Sequence, residues 1–208
     1  MQLIRPGTLA EPAAAAAYIF LYIWCLRGRY PLAWLPLAGF LLFSHVRRRE
    51  TARRLGLNGP WREPVRQLAP WVSGLVVGLL ASGAGLGTIQ RFPPQRLAAN
   101  LALYLAWGLV QQYLLNGYFL NRLRAALPER AAIAVAALLF SGAHAPNPFL
   151  MAVTLAAGIT SSWIYLRWRN LLLLGGLHGL AGFLLHLVVP DWIARNFLVG
   201  PRYFQWSP

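Results

Sequence analysis

The chain has 208 residues, of which 58% are apolar and only 12% charged, with a mean hydropathy of +0.49. Ordinary soluble domains carry about twice that charge, so an ordinary soluble domain is excluded and the sequence reads as one written for a bilayer. All nineteen basic residues are arginine against five acids, a net charge of +14. The arginines sit in short segments between apolar runs and are not interleaved with aromatic residues, which points to anionic lipid headgroups as partners and excludes nucleic acid.

A membrane-crossing helix needs about 20 apolar residues. In chain order the sequence offers about seven such stretches, near 12–27, 30–46, 69–90, 97–121, 131–146, 148–167 and 170–189, with six to eight the full range. The expected architecture is an all-α, multi-pass transmembrane helical bundle over residues 1–208, a single integral-membrane domain without internal repeats. The first run lacks a small-residue cleavage site before Arg27 and Arg29 and is read as an uncleaved span. Cys25, a lone thiol in an apolar run, reads as a small hydrophobe. Arg47 to Leu68, with RRRETARR and then Asn58-Gly59-Pro60, suits an amphipathic surface helix followed by a turn. In the third stretch Gly74, Gly78 and Ser82, then Gly83 and Gly87, form a small-residue stripe that lets a neighbouring helix approach. Counting arginines in alternate loops gives thirteen on one side and six on the other, which places the N-terminus in the cytoplasm. The exclusive use of arginine hints at a GC-rich genome and so at a bacterial inner membrane. The aromatic tail from Gly200 reads as interfacial.

Polar side chains at membrane depth are costly unless partnered. None of the five acids falls there: Glu11 stands at the start of the first stretch, Glu50, Glu63 and Glu129 in basic loops, and Asp191 after the last stretch. What does fall there is Gln111, Gln112 and Asn116 in the fourth stretch, His144 at the end of the fifth and His178 in the seventh. At ~1.5 Å per residue, Gln112 is about 15 Å from Arg122, His178 about 14 Å from Arg169 and His144 about 21 Å from Arg130. Three helices therefore bring polar groups to one slab, and a shared cavity is the expectation. His186 and His45 read as histidines satisfied by local partners such as backbone carbonyls.

Gln111-Gln112-x-x-x-Asn116-Gly117, then Phe140-x-x-x-His144, then His178 preceded by the stretch Gly158 to Leu171, resembles the CPBP family of intramembrane endopeptidases, which includes the type II CAAX prenyl endopeptidases and bacteriocin-processing relatives. That family carries Glu-Glu-x-x-x-Arg, Phe-x-x-x-His and His-x-x-x-Asn or Asp motifs in this order. The intervals here, 32 residues from Gln112 to His144 and 34 from His144 to His178, follow it. The resemblance covers residues 97–189, with Leu55-Gly56-Leu57 as further support. Glutamines replace both motif glutamates, Asn116 stands at the arginine and Gly182 at the last position of the third motif.

The resemblance implies hydrolysis of a membrane-proximal peptide bond, with His144, His178, Gln111 and Gln112 at the reacting atoms and Asn116, Phe140 and Gly182 positioning water or substrate. In the family a glutamate activates water while histidines bind water, stabilise the oxyanion or hold a metal. A glutamine amide accepts hydrogen bonds but not a proton near neutrality, so a histidine would have to serve as base. Two histidines and an amide make a poor ligand set for catalytic zinc, and no cofactor is expected, a divalent ion at His144 and His178 being the alternative. The implied partners are membrane lipid and a membrane-tethered peptide or protein substrate. A second function is a catalytically inactive relative that binds a membrane peptide or lipid tail as scaffold or immunity-like partner.

Overall fold

The computed structural model describes residues 7–207, which are predominantly helical with no strand among them. Helix α1 (Gly7–Leu21) continues as a π-helical turn, Tyr22–Leu26; α2 is Leu35–Arg47, α3 Arg62–Leu86 and α4 Pro94–Gln112. Helix α4 runs on through a π-helical stretch, Tyr113–Leu120, into α5 (Asn121–Leu123). Then come α6 (Glu129–Gly142), α7 (Pro148–Trp168), α8 (Leu171–Val188) and the short α9 (Asp191–Ala194). Each apolar stretch of the sequence overlaps a helix, but residues 30–34, 87–90 and 143–146 of those stretches lie in turns or irregular segments. Four segments are long and apolar enough to cross a membrane: Leu9–Leu26, Arg62–Leu86, Pro148–Trp168 and Leu171–Val188.

Local sequence explains where the last two long helices begin. Asn147 accepts a bond from the Leu150 N–H at 3.1 Å with Pro148 as the first helical residue, and Asn170 accepts from the Leu173 N–H at 2.9 Å. Both satisfy an otherwise orphaned helical donor. Asn147 also donates to the carbonyls of Ala194 and Leu198, so the cap that starts α7 fastens the chain beyond α8.

The segment expected as an amphipathic surface helix is instead a run of turns from Arg48 to Trp61, and α3 starts at Arg62, before the expected 69. Its backbone polar groups cap the α7–α8 junction. Leu171 N–H donates to the Gly56 carbonyl at 2.8 Å, Asn170 to the Pro60 carbonyl at 2.7 Å and Arg169 to the Arg54 carbonyl at 2.7 Å. Gly56, at φ +78°, lies so close to this junction that a Cβ would meet the Arg169 carbonyl at 2.7 Å, which favours a turn over a helix here.

The glycine stripe of α3 also differs from expectation. Gly74 and Gly78 face open space, and of the stripe only Gly83 packs closely on another helix, against Val188. The intimate helix contact lies between α4 and α8. A Cβ on Gly108 would meet Gly179 N at 2.5 Å, and one on Gly179 would meet the Tyr104 carbonyl at 2.6 Å. Gly175 and Gly179, four apart, give α8 the small-residue face that lets two backbones touch. The buried core, including Leu115, Tyr118, Leu120, Ala132, Ala136, Tyr165 and Leu171, lies where the π-helical stretch meets α6, α7 and α8. Large apolar side chains remain exposed on the outside, Trp71 and Leu86 at more than three-quarters, as a lipid-facing surface requires.

Candidate functional site

Helix α4 ends on Gln111 and Gln112 and passes into the π-helical stretch that carries Asn116; such widened turns recur at functional sites. Close contact of α4 with α8 through Gly108, Gly175 and Gly179 sets His178 beside the two glutamines. The turn after α6 presents His144, and α7 adds Ser162. The residues expected to meet do meet.

Their bonds form one directed chain. Ser162 donates to Asn116 Oδ1 at 2.9 Å, and Asn116 Nδ2 donates to Gln112 Oε1 at 2.6 Å. Gln112 Nε2 lies 3.2 Å from His178 Nδ1, and His178 Nε2 lies 2.6 Å from Gln111 Oε1. Gln111 Nε2 lies 3.4 Å from His144 Nε2, while His144 Nδ1 lies 2.7 Å from the Phe140 carbonyl. An amide nitrogen only donates and a carbonyl only accepts. His178 therefore carries its proton on Nε2 and His144 on Nδ1, opposite tautomers of two neutral rings. The contacts at 2.6 Å are short and the one at 3.4 Å is long for hydrogen bonds, and the rest fall within the ordinary range. Gln112, Asn116 and Ser162 are at most 1% exposed, so burial would leave any unpartnered member of the chain costly.

Phe140 supplies more than its carbonyl. Its ring stands edge-on to His144, centroids 5.0 Å apart, and to His178 at 5.7 Å, an apolar wall that fixes both imidazoles. Gly182 packs against the Tyr104 ring, where a Cβ would come within 3.1 Å. Both His178 nitrogens are engaged within the chain, and the neighbouring amides are weak metal ligands.

A second polar cluster escaped the sequence reading. Arg122, only 3% exposed, donates to Glu11 Oε1 at 2.9 Å, to Glu50 Oε1 at 2.6 Å and to Ser44 Oγ at 2.9 Å. Ser44 also donates to Glu11. His45, expected to be satisfied by a local carbonyl, instead bridges Glu50 at 2.5 Å and the Tyr113 hydroxyl at 2.6 Å. Burial pushes the Glu50 carboxyl up, but the bonds and charges of Arg122 and His45 outweigh it and hold the group below the usual carboxylate range. Tyr113 directly follows Gln112, so the cluster braces the helix that carries the amides. The signal in sequence was an arginine at the end of an apolar run, but partners up to 111 residues away gave it no local mark.

His186 also departs from the expectation of a local carbonyl partner. Its Nδ1 is the one buried side-chain polar atom without a partner among the described residues, and its ring lies among Phe92, Tyr104 and Phe197 at 5.5–5.8 Å.

No curated protein and no solved structure matches this chain. Residues 93–184 match the family model described as Type II CAAX prenyl endopeptidase Rce1-like. That interval contains every member of the hydrogen-bonded chain from Gln111 to His178, so the similarity to that family falls on the part of the chain that carries the site.

Proposed function

We propose that this protein is a divergent CPBP-type intramembrane endopeptidase homologue that engages a membrane-proximal peptide bond of a membrane-tethered substrate between α4, α6 and α8. The observation that supports it is the chain of amides and imidazoles drawn from separate helices at one depth. His144 Nε2 is the basic nitrogen with the longest contact in that chain, so it is the group able to take a proton from water, with the second N–H of each glutamine amide polarising the carbonyl and His178 holding both amides in place. Asn116 and Phe140 act as positioning residues, and Gly182 leaves room beside Tyr104. The site works without a metal or nucleic acid. In this reading seven spans cross a bacterial inner membrane with the N-terminus in the cytoplasm.

One observation favours a second reading, a relative that binds a membrane peptide or lipid tail without cutting it: the amide chain holds no carboxylate and satisfies itself. Activity separates the two. Purified protein in detergent is incubated with a membrane-tethered peptide, and cleavage is followed by mass spectrometry. Hydrolysis by the wild type, abolished in His144→Ala and His178→Ala at unchanged folded yield, supports the endopeptidase. Retained peptide binding with no cleavage supports the binder. Gln112→Glu restores a carboxylate base, whose typical contribution is ~10²–10⁴-fold, and should raise the rate; no gain in a folded variant contradicts the hydrolytic reading.

A further inference from the structure

Where the turns of residues 48–61 meet the ends of α5 and α7, a cleft of about 660 Å³ opens, lined by Arg53, Arg54, Arg124, Arg169, Asn121 and Glu50 among others. Its charge is unbalanced. Both Glu50 oxygens are already occupied, one by Arg122 at 2.6 Å and the other by His45 at 2.5 Å and Arg122 at 2.9 Å. Among the described residues Arg124 pairs only with the exposed Glu129, at 3.1 Å, a surface pair of little strength. Arg53 and Arg54 pair with no carboxylate among the described residues and are exposed. Arg169 is fixed in place by bonds to the Arg54 carbonyl at 2.7 Å and Asn121 Oδ1 at 3.1 Å and by stacking over Tyr165 at 5.2 Å, so one guanidinium is held ready before any ligand arrives.

We propose that this cleft binds the phosphate of an anionic phospholipid headgroup. Guanidinium forks match phosphate oxygens in pairs, which lysine does not do. The depth is right as well. Helix α7, long and apolar enough to cross a membrane, ends at Arg167-Trp168-Arg169, the Trp and Arg pairing of a headgroup layer. A lipid of net negative charge is favoured over a zwitterionic one, whose own cation would face the arginines. The site is separate from the amide chain, and its failure leaves the hydrolytic reading untouched.

Native mass spectrometry of the full chain in detergent tests this, titrating phosphatidylglycerol, phosphatidylcholine or inorganic phosphate. Phosphatidylglycerol should bind, and the Arg53→Gln/Arg54→Gln variant should bind about thirtyfold more weakly, from roughly fivefold per arginine near a charged surface. The pair Arg62→Gln/Arg66→Gln, which removes equal charge from an exposed stretch outside the cleft, should change binding little. Should the first variant lose helical circular dichroism, Arg124→Gln alone should still give a several-fold loss. Equal losses in both pairs would reveal diffuse attraction and overturn the site, as would equal binding of phosphatidylcholine. Inorganic phosphate binding as tightly as the lipid would overturn the assignment to a headgroup.

Discussion

Arg122 takes a full charge out of solvent and spends it on Glu11, Glu50 and Ser44. Removing one member of a buried ion pair costs ~3–5 kcal/mol, because its partner stays behind unpaired. Arg122→Met should therefore lower the thermal unfolding midpoint in detergent far more than Arg47→Gln, an exposed arginine in no ion pair among the described residues. Glu50 adds a pH dependence whose sign follows from its lowered pKa. Its stabilising contribution is complete above the ordinary carboxylate value of ~4.3 and is lost as pH falls through the lower folded value. The stability gap between wild type and Glu50→Gln should thus be constant near neutrality and close below about pH 4; a gap that widened on acidification would contradict the ion pair. At this scale the amides and histidines of the site were legible, since each stands alone in an apolar run. His45 and Glu11 were not, because both sit beside charged or terminal residues where solvation is the ordinary outcome and their partners are remote in sequence.

Helix contacts carry their own signature. On α8, Gly179→Ala places a Cβ 2.6 Å from both the Tyr104 carbonyl and Leu105 Cα, backbone atoms that cannot step aside. Overpacking of this kind costs ~1–3 kcal/mol, and it would also push His178 away from Gln112. On α3, Gly78→Ala meets nothing within 4 Å and should stabilise the helix by ~0.5–1 kcal/mol. Unfolding followed by helical circular dichroism measures both, and equal effects would refute the α4–α8 contact. Asn147→Ala removes a helix cap and should cost ~0.5–2 kcal/mol, together with the anchoring of Ala194 and Leu198. Helix positions were readable because apolar runs must be long, whereas the partner of each run was not. The stripe on α3 resembled an interface by spacing alone, but Gly-x-x-x-Gly spacing specifies close approach only when a second helix offers an equally small surface. Gly108 does so for α8; nothing among the described residues lies within 4 Å of a Cβ built on Gly74. Likewise the RRRETARR segment shows helical charge density, yet the backbone bonds it gives to the α7–α8 junction decide its shape.

Across the whole molecule, two polar assemblies stand end to end along one rod. The Arg122 cluster grips the far end of the π-helical stretch, and His45 joins it to Tyr113, the residue next to Gln112. The amide chain at the near end is thereby held from both sides, by α8 through glycine contacts and by α2 through His45. Sequence order placed Gln112, His144 and His178 at one depth but left open whether their side chains turned together, because depth follows from residue count while azimuth depends on how helices pack. That convergence is the central claim, and histidine tautomers report it directly. Solid-state NMR of protein carrying nitrogen-15 in its histidine rings, in lipid at neutral pH, should show His178 protonated on Nε2 and His144 on Nδ1, with Gln112→Leu shifting the His178 Nδ1 signal. Identical tautomers on both rings, or a His178 signal indifferent to the loss of Gln112, would contradict it.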